Sequence, residues 1–177
     1  MKSSSPLVKR TFRKAFTRLE NALITGLLVA VAVAAWYFWG LNRTADQSNR
    51  EISDISRLST CLNGAFNGEY ADVSNARATE MGCGRDTSAW GDSVTLSQGE
   101  DHEQWQMSYA RVPKPICKRI LPPLTAAYEK VIVTRNGKTM DFNRDNSLNP
   151  GTQPDNTPQR LREACQDGDV AMVILGR

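Results

Sequence analysis

The chain has 177 residues, of which 40% are hydrophobic and 23% charged, and its formal net charge is +3. This length allows one modest domain with additional segments. Residues 1–20 contain six basic side chains and one acidic side chain, Glu20. The positive charge therefore belongs to the N-terminus and does not indicate a nucleic-acid-binding domain, so no nucleic-acid partner is expected.

An apolar stretch follows the basic N-terminus. Residues 21–42 contain no acidic or basic side chain, and as a helix they would be about 33 Å long, enough to cross a bilayer core of roughly 30 Å. The run is longer than the apolar region of a cleaved secretory signal, which has about 7–15 residues. The aromatic residues at positions 36–39 are typical of a membrane interface. We predict a span with a cytoplasmic N-terminus, because the basic flank precedes it.

A helical pattern continues beyond the span. Apolar residues recur at spacings of three or four, at Ile52, Ile55, Leu58, Leu62 and Phe66. Such spacing predicts one apolar stripe along a helix. The residues between them, including Glu51 and Asp54, are polar, so we expect that face to be in solvent. Because no proline lies between Pro6 and Pro113, we predict one helix over residues 16–63, roughly 70 Å long.

The next elements alternate between loops and short regular segments. Residues 72–99 are rich in Gly, Ser and Asp with little periodicity, which indicates a long variable loop. The alternation of Trp105, Met107 and Tyr109 with polar residues predicts a strand. A short helix over residues 116–121 should then end at Pro122-Pro123.

The sequence of the C-terminal part indicates a hairpin, a helix and a strand. Residues 131–134 and 138–142 flank Asn136-Gly137, which is typical of a type I′ turn. Thr157-Pro158 is a helix start, and that helix should end near Gly168. The apolar run 170–175 is suited to a central strand. The fold class is therefore α+β, with a long N-terminal helix packed on a small antiparallel sheet of about three to five strands. The first half of that helix spans a membrane, and its second half is amphipathic.

All four cysteines follow the predicted span, at Cys61, Cys83, Cys117 and Cys165. An even number in an exported region indicates two disulfides, and four cysteines allow three pairings. No metal site or cofactor is expected, because there is no C-x-x-C motif and His102 is the only histidine. No nucleophile–base pair or convergent carboxylates suggest catalysis, so we do not expect an enzyme.

The residues where the apolar stretch begins have two interpretations. The sequence there is FTRLE, residues 16–20, with Arg18 and Glu20 beside the apolar run. Both side chains would reach the lipid headgroups if the segment were a simple membrane anchor. Alternatively, FTRLE is a processing and assembly signal.

The order of these features resembles type IV pilins. In that family a basic leader ends in a small residue, the mature chain starts with an aromatic or apolar residue, and its fifth residue is Glu. Here Ala15 would precede the cut, Phe16 would be the first mature residue and Glu20 the fifth, and FTRLE is similar to the family's FTLIE-type opening. The exported part resembles the type IVb branch through Cys61 in the distal helix, the runs NGAFNGEYADV and MSYARVPKPIC, and Cys165 before the final strand.

The resemblance implies roles for individual residues. A prepilin peptidase would cut between Ala15 and Phe16, and the new amine would be methylated. Glu20 would pair with that amine on a neighbouring subunit, and Arg18 could offer a second partner. The family's closing disulfide corresponds to Cys117–Cys165 here, and we expect Cys61–Cys83 to tie the variable loop to the helix.

The expected organisation is a leader over residues 1–15, a long helix over residues 16–63 that includes the span 21–42, and a disulfide-bonded α+β head over residues 64–177. The resemblance implies a pilus subunit that polymerises with itself and uses an inner-membrane assembly machinery. It would be extracellular after assembly and would serve adhesion to a host or recipient cell, aggregation or conjugation. The alternatives are a single-pass inner-membrane protein with an exported binding or sensing domain, and a secretion-system pseudopilin.

Overall fold

The computed structural model describes residues 6–144, 156–166 and 168–177, with side chains from Leu23 onward except Leu41. The elements in chain order are α1 (Pro6–Phe66), α2 (Asn75–Glu80), β1 (Val94–Gln98), β2 (Trp105–Val112), α3 (Lys114–Ala127), β3 (Lys130–Arg135), β4 (Lys138–Asn143), α4 (Pro158–Ala164) and β5 (Val170–Gly176). The chain divides into two compact units, Met1–Arg43 and Thr44–Arg177. The α+β fold class is confirmed.

Helix α1 is longer than predicted at both ends. It begins at Pro6 instead of residue 16, so it includes residues assigned to the leader. No proline or glycine between Pro6 and Gly26 interrupts it, and proline suits the first turn of a helix because its missing N–H has no intrahelical partner there. The helix ends at Phe66, where Asn67 and Gly68 adopt φ angles of 51° and 87°. This left-handed conformation is a common way to terminate a helix.

The second half of α1 buries a stripe that differs from the predicted one. The buried residues, spaced by three and four, are Ser48, Glu51, Ile55, Leu58 and Leu62. Ile52 and Phe66 are only partly buried against the core. The expectation that Glu51 is in solvent is therefore wrong, since its side chain is fully buried. The stripe continues through polar residues because they find partners in the head.

The sheet has five strands in the order β1-β2-β5-β3-β4, and every pair is antiparallel. The last strand, β5, is central, as its continuous apolar run predicted. Its Ile174 lies between Met107 of β2 and Val131 of β3. These residues belong to the same buried core as Ile55, Leu58 and Leu62 of α1. One face of the sheet therefore buries its side chains under the second half of α1.

Helix α3 does not end at Pro122-Pro123 as predicted. It continues to Ala127 with both prolines inside it. The two missing N–H groups would have bonded the carbonyls of Lys118 and Arg119, which lie on the exposed side of the helix, so water can solvate those carbonyls. The buried face meanwhile continues from Ile116 through Leu124. Packing of that face outweighs the local cost of the prolines.

The hairpin of β3 and β4 is confirmed. Asn136 and Gly137 have φ angles of 48° and 76°, as a type I′ turn requires. Helix α4 also starts as predicted, because the Thr157 side chain accepts a hydrogen bond from the Arg160 N–H. It ends at Ala164, earlier than expected, with Cys165 as its C-cap.

The stretch 72–99 is more ordered than predicted, because it contains α2 and β1. The Asn75 side chain links these two elements. Its Oδ1 accepts from the Leu96 N–H at 2.5 Å, and its Nδ2 donates to the Val94 carbonyl at 2.7 Å. Only Val94 and Leu96 of β1 are fully buried, so the strand has too few apolar residues to produce a recognisable pattern.

Candidate functional site

The first half of α1 presents apolar side chains on all sides. Eleven large hydrophobic residues are more than half exposed: Leu23, Ile24, Leu27, Leu28, Val29, Val31, Val33, Trp36, Tyr37, Phe38 and Trp39. Burial of such a side chain gains about 1.5–3 kcal/mol. We call residues 23–40 the apolar segment. Its surface requires a cover of lipid or of other apolar helices.

The length and composition of the apolar segment suit a membrane. Its 18 residues extend about 27 Å as a helix, close to the thickness of a bilayer core. Within the described ranges, one helix is long and apolar enough to span a membrane, and none of its most apolar window is buried. The segment therefore fits membrane anchoring.

The four N-terminal site residues predicted from sequence lie next to the apolar segment. Ala15, Phe16, Arg18 and Glu20 fall within α1. Their side chains are outside the described part of the structure, so their processing and assembly roles stay predictions.

A buried carboxylate joins α1 to the head. Glu51 Oε2 accepts from Arg85 Nη2 at 2.5 Å and from the Ala89 N–H at 2.7 Å. Its Oε1 accepts from the Tyr109 hydroxyl at 2.6 Å. We call these four residues the Glu51 network. It connects α1 with the loop after α2 and with strand β2.

The electrostatics of the Glu51 network follow from its burial. The Glu51 side chain is 0% exposed and that of Arg85 is 12% exposed, so the ion pair is shielded from water. Burial raises the pKa of the Tyr109 phenol well above its usual value, and the charge of Glu51 raises it further. The Tyr109 hydroxyl is thus held protonated and donates to Glu51.

Sequence reasoning missed this network. The available signal was position: Glu51 lies four residues before Ile55 and therefore on the same side of a helix. A buried acid without an obvious partner in the sequence was assigned to the solvent face. The partners Arg85 and Tyr109 are 34 and 58 residues away in the chain.

Both disulfides attach helices to neighbouring segments. Cys61 on α1 bonds Cys83 in the loop after α2, and Cys117 on α3 bonds Cys165 at the end of α4. These are the pairs expected from the sequence. Each cross-link removes conformational freedom from the unfolded chain and typically stabilises the folded state by about 2–4 kcal/mol.

The C-terminus is attached to the far end of α1. Asn63 Nδ2 donates to the Arg177 carbonyl at 3.2 Å, and the Tyr70 hydroxyl donates to Asn63 Oδ1 at 2.5 Å. The Arg177 side chain contacts Glu129 at 3.1 Å. The last strand and the end of α1 therefore hold each other in place.

A groove of about 680 Å³ lies beside the Cys61–Cys83 disulfide. Asp54 and Arg57 of α1 line one side and residues 82–87 line the other. Among the described residues, no group of three His, Cys, Asp or Glu side chains could hold a metal ion. The groove is a shallow charged surface, and the apolar segment remains the candidate site.

Replacement of Glu51 should destabilise the head strongly. We expect Glu51→Gln to lower the free energy of unfolding by about 3–5 kcal/mol, because Arg85 would lose its buried partner and keep only the exposed Asp54 nearby. Urea unfolding of the full chain in detergent, followed by near-UV circular dichroism, measures this loss. Asp54→Asn is the matched control: Asp54 lies 3.6 Å from Arg85 but is 44% exposed, so its loss should be below about 1 kcal/mol. Equal effects of the two variants would contradict the network.

Stability should fall above about pH 10, the pKa of a tyrosine in the unfolded chain. The raised pKa of Tyr109 means that the folded state keeps a proton that the unfolded state loses. The contribution of Tyr109 to the free energy of unfolding is therefore complete below about pH 10 and decreases as the pH rises above it. Tyr109→Phe should show a smaller alkaline loss than wild type. A remainder comes from Tyr70 and Tyr128, whose pKa values burial also raises, and from Lys130, whose pKa is raised by its hydrogen bond to Glu100. The unfolding free energies of both proteins at about pH 8 and about pH 11 test this; equal losses would contradict it.

Comparisons with known proteins give a match at the level of structure only. No protein-family model and no curated protein matches the sequence. Among solved structures, the chain is similar to the crystal structure of TcpA, a type IV pilin from Vibrio cholerae El Tor biotype. The TM-score is 0.55 at 8% sequence identity, and the match covers 75% of this chain and 99% of TcpA.

The similarity to TcpA agrees with the elements described above. The similarity lies in the arrangement of the backbone, since the two sequences are only 8% identical. The chain has the type IV pilin fold, with a long N-terminal helix, apolar in its first half, and a small antiparallel sheet packed against the second half.

Proposed function

We propose that this chain is a structural subunit of a type IV pilus-like filament, closest in kind to the type IVb branch. The observation that carries the proposal is the apolar segment, whose large side chains are more than half exposed on a chain with the pilin fold. A membrane could cover this surface before assembly. A bundle of the same segments from other copies could cover it afterwards. The same surface thus serves storage and polymerisation.

Processing would prepare the chain for assembly. A prepilin peptidase would remove residues 1–15 by cutting between Ala15 and Phe16, and the new N-terminal amine of Phe16 would be methylated. The amine would then lie at the start of the apolar helix, in place of the basic leader. Removal of the leader would also remove most of the N-terminal positive charge, which sets the orientation of the span in the membrane.

Glu20 would set the stagger of neighbouring helices. Moving the helix into a filament core buries this carboxylate, and burial of an unpaired charge costs several kcal/mol. The amine of Phe16 on a neighbouring subunit would supply the partner in one axial position only, and Arg18 would offer a second contact. Other staggers would leave the charges unpaired.

The head would form the surface of the filament. Before assembly the N-terminus would be cytoplasmic and the head periplasmic, where its disulfides can form. An inner-membrane machinery would move the subunit into an extracellular filament that serves adhesion, aggregation or conjugation. The two disulfides and the Glu51 network would keep the head folded outside the cell.

The state of the mature N-terminus tests the proposal. We expect mass spectrometry of sheared filaments to identify an N-methylated peptide that starts at Phe16. An intact Met1 in the membrane fraction, without filaments, would instead indicate a single-pass envelope protein. Normal surface pili in a deletion strain, together with loss of secretion, would indicate a pseudopilin.

Glu20→Ala should leave the chain inserted and folded but reduce filament formation. A loss of about 1.4 kcal/mol per subunit contact already lowers an association constant about tenfold, so we expect at least about a tenfold lower yield of sheared filaments. Arg18→Ala should give a smaller reduction. The control is Asn21→Ala, which replaces the polar residue next to Glu20, and it should assemble normally. A normal yield from Glu20→Ala would remove the pairing role.

A further inference from the structure

Charge is unevenly divided along the head sequence. Residues 44–104 contain eleven acidic and four basic residues, whereas residues 105–177 contain eleven basic and seven acidic residues. The sheet register shows where part of this difference lies. One end of the sheet is formed by Gln98, Trp105, Lys130 and Gly176, and the opposite end by Val94, Val112, Arg135 and Val170.

The first end carries exposed acids. The turn before β2 contributes Glu100, Asp101 and Glu103, and the loop after α1 contributes Glu69. The Tyr70 N–H donates to the His102 carbonyl at 2.7 Å, which holds this loop and turn together. We call Glu69, Glu100, Asp101 and Glu103 the acidic end.

Cations compensate the acidic end only in part. Lys130 contacts Glu100 at 2.6 Å, and Arg177 contacts Asp101 at 3.6 Å. Among the described residues, Glu69 and Glu103 have no ion-pair partner. Two exposed carboxylates of the acidic end therefore remain available to a cation from outside.

The second end carries cations. Arg111 lies near the end of β2, Lys114 is the first residue of α3, and Arg135 and Lys138 flank the hairpin turn. We call these four residues the basic end. Asp92 and Asp169 both contact Arg111, at 3.4 and 3.6 Å. Within the described ranges no acid pairs with Lys114 or Lys138, and α3 itself contains no acidic residue.

The two ends are separated along α1. Glu51 contacts Tyr109, towards the basic end, whereas Asn63 contacts Arg177 at the acidic end. Twelve residues of helix between these contacts correspond to about 18 Å. The acidic and basic ends are therefore distinct surfaces that do not compete for one partner.

We propose that the acidic end of one subunit docks on the basic end of a second copy of this chain, head to tail along the filament. The inference rests on the proposed function, since it needs a polymer. Complementary charge at two different places on one chain favours a heterologous contact, which repeats without closing and so builds a filament. A two-fold contact between identical ends would instead oppose like charges.

The contact would select the stagger more than it would hold the filament together. Exposed ion pairs contribute about 0–1 kcal/mol each, which is small beside the apolar segment. Complementary charge nevertheless excludes wrong arrangements and steers association. This electrostatic selection would weaken at higher salt concentration, because salt screens the attraction between exposed charges.

Charge reversal in the full chain tests the inference. One variant carries Glu69→Lys with Glu103→Lys, a second carries Lys114→Glu with Lys138→Glu, and a third combines all four changes. We expect each of the first two to lower the filament yield at least about tenfold, equivalent to about 1.4 kcal/mol. The combined variant should return to within about twofold of wild type, because it restores opposite charges across the contact.

A matched control changes charge elsewhere by the same amount. Glu80→Lys with Asp46→Lys alters exposed acids on α2 and α1, each of which pairs with an arginine of its own helix, and should assemble normally. If the two reversals assemble like wild type, or if the combined variant is not rescued, the inference is wrong and the filament role stands. Absence of filaments from wild type would overturn both.

Carbodiimide cross-linking of wild-type filaments gives an independent readout, because it joins lysine amines to carboxylates in direct contact. Lys130 and Glu100, 2.6 Å apart within one head, are the internal positive control. We expect peptides that join Lys114 or Lys138 to Glu69 or Glu103 in the band of cross-linked dimers and not in the monomer band. Dimers joined only through other residues would overturn the contact.

Discussion

The buried carboxylate of Glu51 is the constraint on which the arrangement of the head depends. A charge without access to water is tolerated only when it is paired and hydrogen-bonded, and here both carboxylate oxygens have donors. The donors come from a guanidinium, a backbone N–H and a phenol on different parts of the chain. The helix, the loop after α2 and strand β2 must therefore take their positions together.

This requirement explains why a loop with little regular structure can still be well placed. The segment between α2 and β1 has few apolar side chains, so hydrophobic burial alone would fix it weakly. Arg85 and the Ala89 N–H attach it to α1 through the Glu51 network, and Cys83 attaches it to Cys61. A polar contact and a covalent bond replace the apolar packing that holds the other elements.

The accuracy of prediction from the sequence depended on whether the signal was local. The turn at Asn136-Gly137 was predictable because positive φ angles require such residues, and β5 was predictable because a central strand needs apolar side chains on both faces. The continuation of α3 through Pro122-Pro123 was not, because the apolar face that stabilises it packs on distant parts of the chain. The burial of Glu51 was missed for the same reason, since its donors are far away in sequence. The apolar segment of the candidate site was evident from composition alone, whereas the roles proposed for its neighbours Arg18 and Glu20 depend on a second subunit.

The central position of β5 determines when the sheet of the head can be completed during folding. In the described sheet, the hairpin of β3 and β4 and the pair β1 and β2 are both hydrogen-bonded to β5, Val170–Gly176, and not to each other. Until that strand arrives, the chain has two separate half-sheets, each with an unpaired edge able to bind the wrong strand. The contacts that join them are distant in sequence and therefore slow to form. A chain whose first four strands have formed thus passes through a vulnerable period before β5 pairs on both sides, and a chaperone that covers the two open edges would have most effect then.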